Sequence, residues 1–254
     1  MKSIFKRFAD NAAGEISETL RFIAGVAGVW FFIVTLIFAP FHIPSESMQP
    51  SLEVGDRVLV SKWAYGYSRH SLPLGIGYYL PSSWNARILG RAPERGDVVV
   101  FRVPESRRNL IKRVIGLPGD IITYRDGRLY VNGELVHREP IESRVYRAHR
   151  GPTVEVMAFE ETLPGGFEHV VYEHTDNGSA DNAGPYRVPA GHAFVMGDNR
   201  DSSTDSRFSP ARGGPGYVRL SEIVGRAETV MFTFKRCRDE EGFYCPTGRV
   251  WRGL

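Results

Sequence analysis

The sequence predicts a mainly β protein: an antiparallel, barrel-like or coiled β-sheet domain that follows one N-terminal transmembrane helix. Three observations predict it: an uncharged apolar run near the N-terminus, short β-rich segments between turn signals, and no long amphipathic helix elsewhere. At 254 residues and 42% apolar content, the chain can form one large β domain with a core. Its net charge of +3, from 32 basic and 29 acidic residues, is nearly balanced. No nucleic-acid partner is therefore expected.

The apolar run, FIAGVAGVWFFIVTLIFAPF, occupies residues 22–41. Twenty residues at the helical rise cover about 30 Å, the thickness of the hydrocarbon core of a bilayer. A buried core helix is the alternative, but the run is apolar all round. A cleavable signal peptide would have a shorter apolar run, of about 7–15 residues, and a small-x-small end. We therefore expect a retained single-pass anchor.

Basic residues are distributed unequally around this run. Lys2, Lys6, Arg7 and Arg21 precede it, whereas the first lysine or arginine after it is Arg57. Positive charge favours the cytoplasmic side. Residues 1–21 are therefore predicted to be a cytoplasmic tail, and residues 42–254 an extracytoplasmic β-rich domain.

Strands are predicted in order after the anchor. Residues 57–60 and 97–103 each follow a glycine turn. A meander occupies residues 121–136, where Asp126-Gly127 and Asn132-Gly133 are the preferred pairs for two-residue hairpin turns. Later strands are expected at 192–196 and 224–234. Two stretches with weaker periodicity, 71–94 and 140–189, are interpreted as insertions.

Six aromatic residues lie close together in the sequence after the anchor. Aromatic side chains favour the membrane interface, but loop or core packing accounts for them equally well. They are Trp63, Tyr65, Tyr67, Tyr78, Tyr79 and Trp84.

Cys237 and Cys245 lie near the C-terminus. Outside the cytoplasm a disulfide between them is plausible, and two free thiols are the alternative. Without a paired histidine cluster, a structural zinc site is not expected.

Ser47 comes six residues after the predicted anchor, in the segment HIPSESMQPSL at 42–52. Most serines are caps, turns or surface residues. Here Pro44 and Pro50 favour an extended segment, and six residues span at most about 20 Å. Ser47 is therefore expected near the membrane surface, where a nucleophile suits a substrate that itself crosses the bilayer.

Lys112 lies on a predicted strand whose two faces both contain a basic residue. Whichever face is buried, one basic residue lies among apolar side chains. The alternative is a lysine at the sheet edge whose aliphatic chain is buried while its ammonium reaches water. A desolvated lysine has a lowered pKa and can act as a general base, which an arginine cannot. Lys112 is therefore the candidate. The faces are Leu110, Lys112 and Val114 against Ile111, Arg113 and Ile115.

The block GDNRDSSTDSR at 197–207 follows an apolar strand and is densely polar. Alone, it is typical of a turn with salt bridges, or of a loop that binds a cation. Its acidic residues alternate with Arg200 and Arg207, so we expect them to be paired within the block. No metal site is predicted.

Four blocks, at 41–52, 95–102, 111–120 and 197–207, together closely resemble the bacterial type I signal peptidases of the peptidase S26 family. These are membrane-bound serine endopeptidases (leader peptidases) with a Ser-Lys dyad. The resemblance implies that Ser47 is the nucleophile and Lys112 the general base, with no metal or organic cofactor. It implies that Ser45 and the Ser47 N–H form the oxyanion hole, and that Ser203 orients the lysine.

The resemblance also implies supporting and substrate-binding residues. Asp205 and Arg207 match the family's supporting pair. The residue before Ser203 is often asparagine in the family and is Ser202 here, so which serine faces Lys112 stays open. Five apolar residues would line shallow pockets for small side chains; the alternative is that they belong to the hydrophobic core. They are Phe41, Ile43, Met48, Leu110 and Ile111.

The implied function is removal of signal peptides from secretory preproteins after Ala-x-Ala sites. The domain would act on the periplasmic side of the inner (plasma) membrane, with the phospholipid bilayer and the translocon as further partners. A specialised pilus or conjugation peptidase and an inactive substrate-binding paralogue are the alternatives. Self-cleaving repressors resemble the family in chemistry, but the anchor and the absence of a helix-turn-helix pattern argue against them.

Overall fold

The computed structural model describes residues 2–72, 77, 79–80, 87–104, 106–148, 151–175, 178, 180–233, 244 and 246–254. Both cysteines lie outside these residues. An N-terminal helix, α1 (Lys2–Leu36), precedes a chain of antiparallel strands, which confirms the predicted fold class. The strands are β1 (Phe38–His42), β2 (Asp56–Ser61), β3 (Val98–Val103), β4 (Arg108–Gly116), β5 (Ile121–Arg125), β6 (Arg128–Val131), β7 (Glu134–Leu135), β8 (His137–Arg147), β9 (Thr153–Leu163), β10 (Phe167–Glu173), β11 (Ala183–Arg187), β12 (His192–Met196), β13 (Val218–Arg219), β14 (Ile223–Thr233) and β15 (Arg252–Gly253).

The main sheet has the order β1-β2-β14-β3-β4-β12-β13, with β15 paired to β14. Both faces of its central strand β3 are buried, in keeping with the almost continuously apolar sequence VVVFRV. Val98 and Val100 belong to one core cluster, whereas Val99 and Phe101 belong to another. This alternation follows from the two-residue period of a strand.

The predicted meander forms a second sheet, in the order β11-β5-β6-β7. Its turns use residues with positive φ at both central positions: 48° and 66° at Asp126 and Gly127, then 56° and 86° at Asn132 and Gly133. A type I′ hairpin turn requires this, and Asn, Asp and Gly adopt it most readily. The hairpin predictions are therefore confirmed.

The predicted anchor at 22–41 is divided between two elements. The helix ends at Leu36, and Phe38–His42 is strand β1, whose residues pair from Phe38↔Ser61 to His42↔Arg57. Within the described chain, the stretch long and apolar enough to cross a membrane is Gly14–Ile33. Hydropathy alone could not locate this boundary, since apolar residues also suit a strand. Pro40 cannot continue a helix, and the free edge of β2 offers hydrogen bonds instead.

The aromatic residues after the anchor have different environments. Trp63 is 54% exposed and Tyr79 is 91% exposed, whereas Tyr65 is buried and donates a hydrogen bond to Asp97 over 2.7 Å. Tyr65 is therefore a packing residue. Tyr78 and Trp84 lie outside the described residues.

The stretch 140–189 contains most of a three-stranded antiparallel sheet, β10-β9-β8. This sheet joins the loop 197–207, because Tyr172 of β10 forms a parallel bridge with Asn199. A buried ion pair adds to the contact: Arg200 donates to both carboxylate oxygens of Glu161 on β9, one of them over 3.0 Å. The stretch interpreted as an insertion is therefore packed against the polar block.

Replacing Glu161 by alanine is expected to lower the free energy of unfolding by about 3–5 kcal/mol, because Arg200 would stay buried without its anionic partner. Glu160→Ala, at the exposed neighbouring position, is the matched control and should change stability by less than about 0.5 kcal/mol. Urea unfolding in detergent, followed by tryptophan fluorescence, measures both. Equal effects of the two substitutions would contradict the buried pair.

Candidate active site

Ser47 lies in the turn that connects β1 to β2, so the extended segment expected from Pro44 and Pro50 is wrong. Apolar side chains of this turn enter the main core: Met48 and Leu52 are both 0% exposed and pack in one cluster with Val58. The base of the turn is closed by backbone hydrogen bonds, from Ile43 N–H to the Asp56 carbonyl and from Gly55 N–H to the Ile43 carbonyl. Burial of its flanking residues therefore fixes Ser47, which is itself 6% exposed.

Lys112 lies on β4, opposite Val99 of β3, and is only 4% exposed. The alternative of a snorkelling edge residue is therefore wrong. Its Nζ lies 2.6 Å from Ser47 Oγ and 2.9 Å from the Ile111 carbonyl oxygen. The structure thus brings together the two residues predicted to form the dyad, 65 positions apart in sequence.

The surroundings of Lys112 favour its neutral form. Burial is the main cause, and it lowers the pKa of Lys112 from 10.5 to about 8, although Asp205 and Asp198 oppose the shift. Desolvation disfavours the ammonium because it loses hydration. At pH 7, about one molecule in ten would have a neutral amine, whereas an ordinary lysine is almost wholly protonated.

Two further serines lie close to the dyad. Ser45 Oγ is 3.3 Å from Ser47 Oγ and is exposed at the site. Ser203 is 5% exposed, and its side chain interacts with the Asp205 carboxylate. A Cβ at Gly197 would collide with both Ser203 Oγ and the Ser47 carbonyl oxygen. Glycine is therefore needed where these two segments meet.

Ser202 and Ser203 point to different neighbours. Ser202 is exposed and interacts with the Tyr146 hydroxyl, whereas Ser203 is buried beside the Ser47 segment. Neither serine is hydrogen-bonded to Lys112, whose Nζ bonds go to Ser47 and Ile111. Of the two, Ser203 is the one on the dyad side.

The expectation that the loop 197–207 pairs its charges internally is correct only for Asp205 and Arg207, whose closest atoms are 2.9 Å apart. Asp198 pairs instead with Arg113 on β4, 2.7 Å away, and Arg200 pairs with Glu161. These four loop residues are buried, so their partners are set by tertiary packing rather than by sequence proximity. The alternation along the strand predicted that either Lys112 or Arg113 would be buried. Both residues are buried, because Asp198 neutralises the Arg113 charge.

Four of the five predicted substrate-binding residues come together. Ile43 and Met48 are buried in one core cluster, and Phe41 and Ile111 pack partly exposed against it. Leu110 packs against a different cluster, on the other face of the sheet. Phe41 and Ile111 are therefore the members on the Ser47 side of the sheet with surface left for a ligand.

An acidic cluster was not foreseen from the sequence. Carboxylate oxygens of Glu173, Asp181 and Asp201 lie within 4.8 Å of one another. Burial raises the pKa of Glu173 to about 7, although Arg200 and Arg138 oppose the shift. These residues are far apart in the sequence, with no motif spacing that could have indicated the cluster.

Comparison with known proteins places this geometry in context. The family model described as "Signal peptidase, peptidase S26" matches residues 16–232. A signal peptidase I from Rickettsia bellii is 35% identical over 234 residues, which cover 89% of this chain and 76% of that protein. A signal peptidase I from Pseudomonas aeruginosa is 40% identical over 215 residues, covering 81% and 70%.

Replacing Lys112 by methionine, which has a similar length and no charge, is expected to stabilise the fold by about 1–3 kcal/mol at pH 7. The unfolded chain keeps the lysine proton up to pH 10.5, whereas the folded chain loses it above about 8. Wild-type stability therefore rises with pH between these values. The advantage of methionine should shrink over the same interval.

Thermal unfolding at pH 7 and pH 10 measures this difference. Ser47→Ala is the control, because it alters the same pair but keeps the buried amine, and it should retain the wild-type dependence on pH. A Lys112→Met protein that is less stable than wild type at pH 7 would argue against desolvation.

Proposed function

Because the chain belongs to the signal peptidase family, peptidase S26, we propose that it is a membrane-anchored serine endopeptidase that removes signal peptides from secretory preproteins. The observation that supports the mechanism best is the 2.6 Å separation of Ser47 Oγ and Lys112 Nζ in a buried environment. A hydroxyl needs an adjacent base to become a nucleophile, and a lysine with a lowered pKa is such a base.

In the acylation step, the neutral Lys112 amine takes the Ser47 proton as Ser47 Oγ attacks the scissile carbonyl carbon. The resulting ammonium then protonates the leaving amine, so the C–N bond breaks and an ester to Ser47 remains. In the second step, Lys112 removes a proton from water, which attacks the ester. The acid product leaves and Ser47 recovers its proton.

The negative oxygen formed in each step needs donors. Ser45 Oγ, 3.3 Å from Ser47 Oγ, and the Ser47 backbone N–H are the proposed donors. Each such donor typically contributes about 3 kcal/mol to transition-state stabilisation. Ser203 is proposed to orient the Lys112 ammonium, because its buried side chain lies on the dyad side, against the Ser47 segment, and interacts with the Asp205 carboxylate.

One edge of strand β4 is left to pair with an extended substrate. Along Arg108–Ile111 it pairs with β3 on one side, whereas the described pairing with β12 on its other side begins only at Arg113. An extended substrate can add to such an edge, with alternate side chains entering pockets. Phe41 and Ile111 would then border pockets suited to the small residues of an Ala-x-Ala site. Ile43 and Met48 would form their floor.

The helix α1 is proposed to hold the site at the extracytoplasmic surface of the inner membrane. The basic residues before the apolar stretch favour a cytoplasmic N-terminus. A substrate with its own membrane-spanning signal segment would then present its cleavage site at the same surface. The bilayer and the translocon are the proposed further partners.

The wild-type protein in detergent is expected to cut a secretory preprotein after its Ala-x-Ala site. Ser47→Ala and Lys112→Arg should each reduce the rate at least about 10³-fold, because an arginine cannot become neutral and a dyad fails when either member is removed. Ser209→Ala, at an exposed serine, is the control and should retain the wild-type rate. Electrophoresis and mass spectrometry of the products measure rate and cleavage position.

The result also separates the alternatives. A wild-type protein that cuts only a few members of a preprotein panel would indicate a specialised peptidase. A folded wild-type protein that cuts none would support the inactive paralogue. Activity retained in Lys112→Arg would remove Lys112 as the base.

The value of kcat/KM is expected to rise about tenfold per pH unit below pH 8 and to level off above it. Only the neutral Lys112 amine can accept the proton, and its pKa is lowered to about 8. Activity is therefore lost as pH falls through this value. Initial rates from pH 6 to 10, with a substrate that has no titratable residue near the cut, test this. A midpoint near 10.5 would indicate an ordinary, solvated lysine.

A further inference from the structure

The hydroxyl of Tyr146, on β8, reaches the loop beside Ser47. The Asn199 side-chain amide donates a hydrogen bond to this hydroxyl over 3.0 Å. The Asn199 backbone N–H donates to the Ser47 carbonyl oxygen over 3.2 Å. Asn199 is 0% exposed and Tyr146 is 6% exposed, so water hardly competes for either bond. One asparagine therefore links the three-stranded sheet to the backbone of Ser47.

Neighbouring hydrogen bonds fix the backbone of Asn199, but they do not involve its side chain. Tyr172 N–H donates to the Asp198 carbonyl over 2.8 Å, and Arg200 N–H donates to the Tyr172 carbonyl over 2.9 Å. On the side chain of Asn199, Oδ1 is buried without a hydrogen-bond partner among the described residues. The Tyr146 hydroxyl is thus the described group that orients this amide.

The Tyr146 ring is held independently of its hydroxyl. It stacks on the Tyr172 ring, with centroids 6.2 Å apart and planes inclined by 19°. Removing the hydroxyl therefore keeps the aromatic packing and deprives the buried Asn199 amide and the exposed Ser202 of their bonds to it. A buried amide that loses its partner incurs a desolvation penalty and tends to shift toward another one.

We propose that Tyr146 is a positioning residue, which acts through Asn199 to hold the Ser47 backbone at the distance that Lys112 requires. This inference rests on the proposed function. A nucleophile and its base must be held within about 0.5 Å of the productive geometry. The three-stranded sheet then has a role in the reaction: it fixes the loop 197–207 against Ser47.

Tyr146→Phe tests this against Tyr172→Phe, a matched control in the same stacked pair. The Tyr172 hydroxyl accepts a hydrogen bond from Arg144 over 3.2 Å and does not face Asn199. In Tyr146→Phe, kcat is expected to fall about 5- to 20-fold with KM within twofold, at a temperature where both variants are fully folded. Equal kcat values for the two variants, or a loss that follows the thermal midpoint, would overturn the inference.

The route through Asn199 has its own test. In an Asn199→Ala background, Tyr146→Phe should lower kcat by less than a further twofold, because the two side chains act as one unit. Independent, multiplicative losses in the double variant would show that Tyr146 does not act through Asn199.

Hydrogen exchange of the full-length protein in detergent separates this inference from the proposed function. Peptides covering 45–52 and 197–203 should exchange faster in Tyr146→Phe than in Tyr172→Phe or wild type. Hydrogen exchange can be measured without catalysis. If the wild-type protein cuts no preprotein, the proposed function fails. The exchange rates still decide whether Tyr146 holds the Ser47 segment. Unchanged exchange in Tyr146→Phe would overturn the inference.

Discussion

The burial of four charged residues in the loop 197–207 is the constraint on which the rest of the structure depends. Removing each charge from water costs several kcal/mol unless a partner compensates it. Asp205 and Arg207 compensate each other, but Asp198 needs Arg113 of the main sheet, and Arg200 needs Glu161 of the three-stranded sheet. Both sheets must therefore be in place before the loop is stable. Because the loop also binds the Ser47 carbonyl through Asn199, the same pairing fixes the position of the serine.

Lys112 responds to burial differently from the arginines around it. Among the described residues, no carboxylate lies within ion-pair distance of its Nζ, and burial lowers its pKa to about 8. An arginine cannot respond in this way, because its guanidinium stays protonated at neutral pH even when it is buried. The arginines are therefore paired and structural, whereas the lysine is left able to exchange a proton. The stability lost by burying this amine is the physical basis of its proposed chemistry.

The connection from α1 to Ser47 is a strand. One residue separates the end of the helix at Leu36 from β1, and the turn with Ser47 follows β1 directly. Five residues in a strand extend about 17 Å. Since β1 is paired with β2 along its whole length, the height of Ser47 above a membrane would be set by the sheet. That arrangement fits the proposed cleavage of a substrate whose own apolar segment lies in the same bilayer.

The sequence by itself determined the local features: an apolar helix, strands at two-residue periodicity, and hairpins at Asp126-Gly127 and Asn132-Gly133. These arise from short-range sterics and periodicity, which a few neighbouring residues encode. The order of its motifs also selected Ser47 and Lys112, which the fold brings within 2.6 Å. Only the tertiary structure decided where the helix ends, which cluster Leu110 joins, and which residues neutralise Asp198 and Arg200. Arg113 and Asp198 are 85 residues apart, and no local pattern records such a pairing, because it depends on the path of the whole chain.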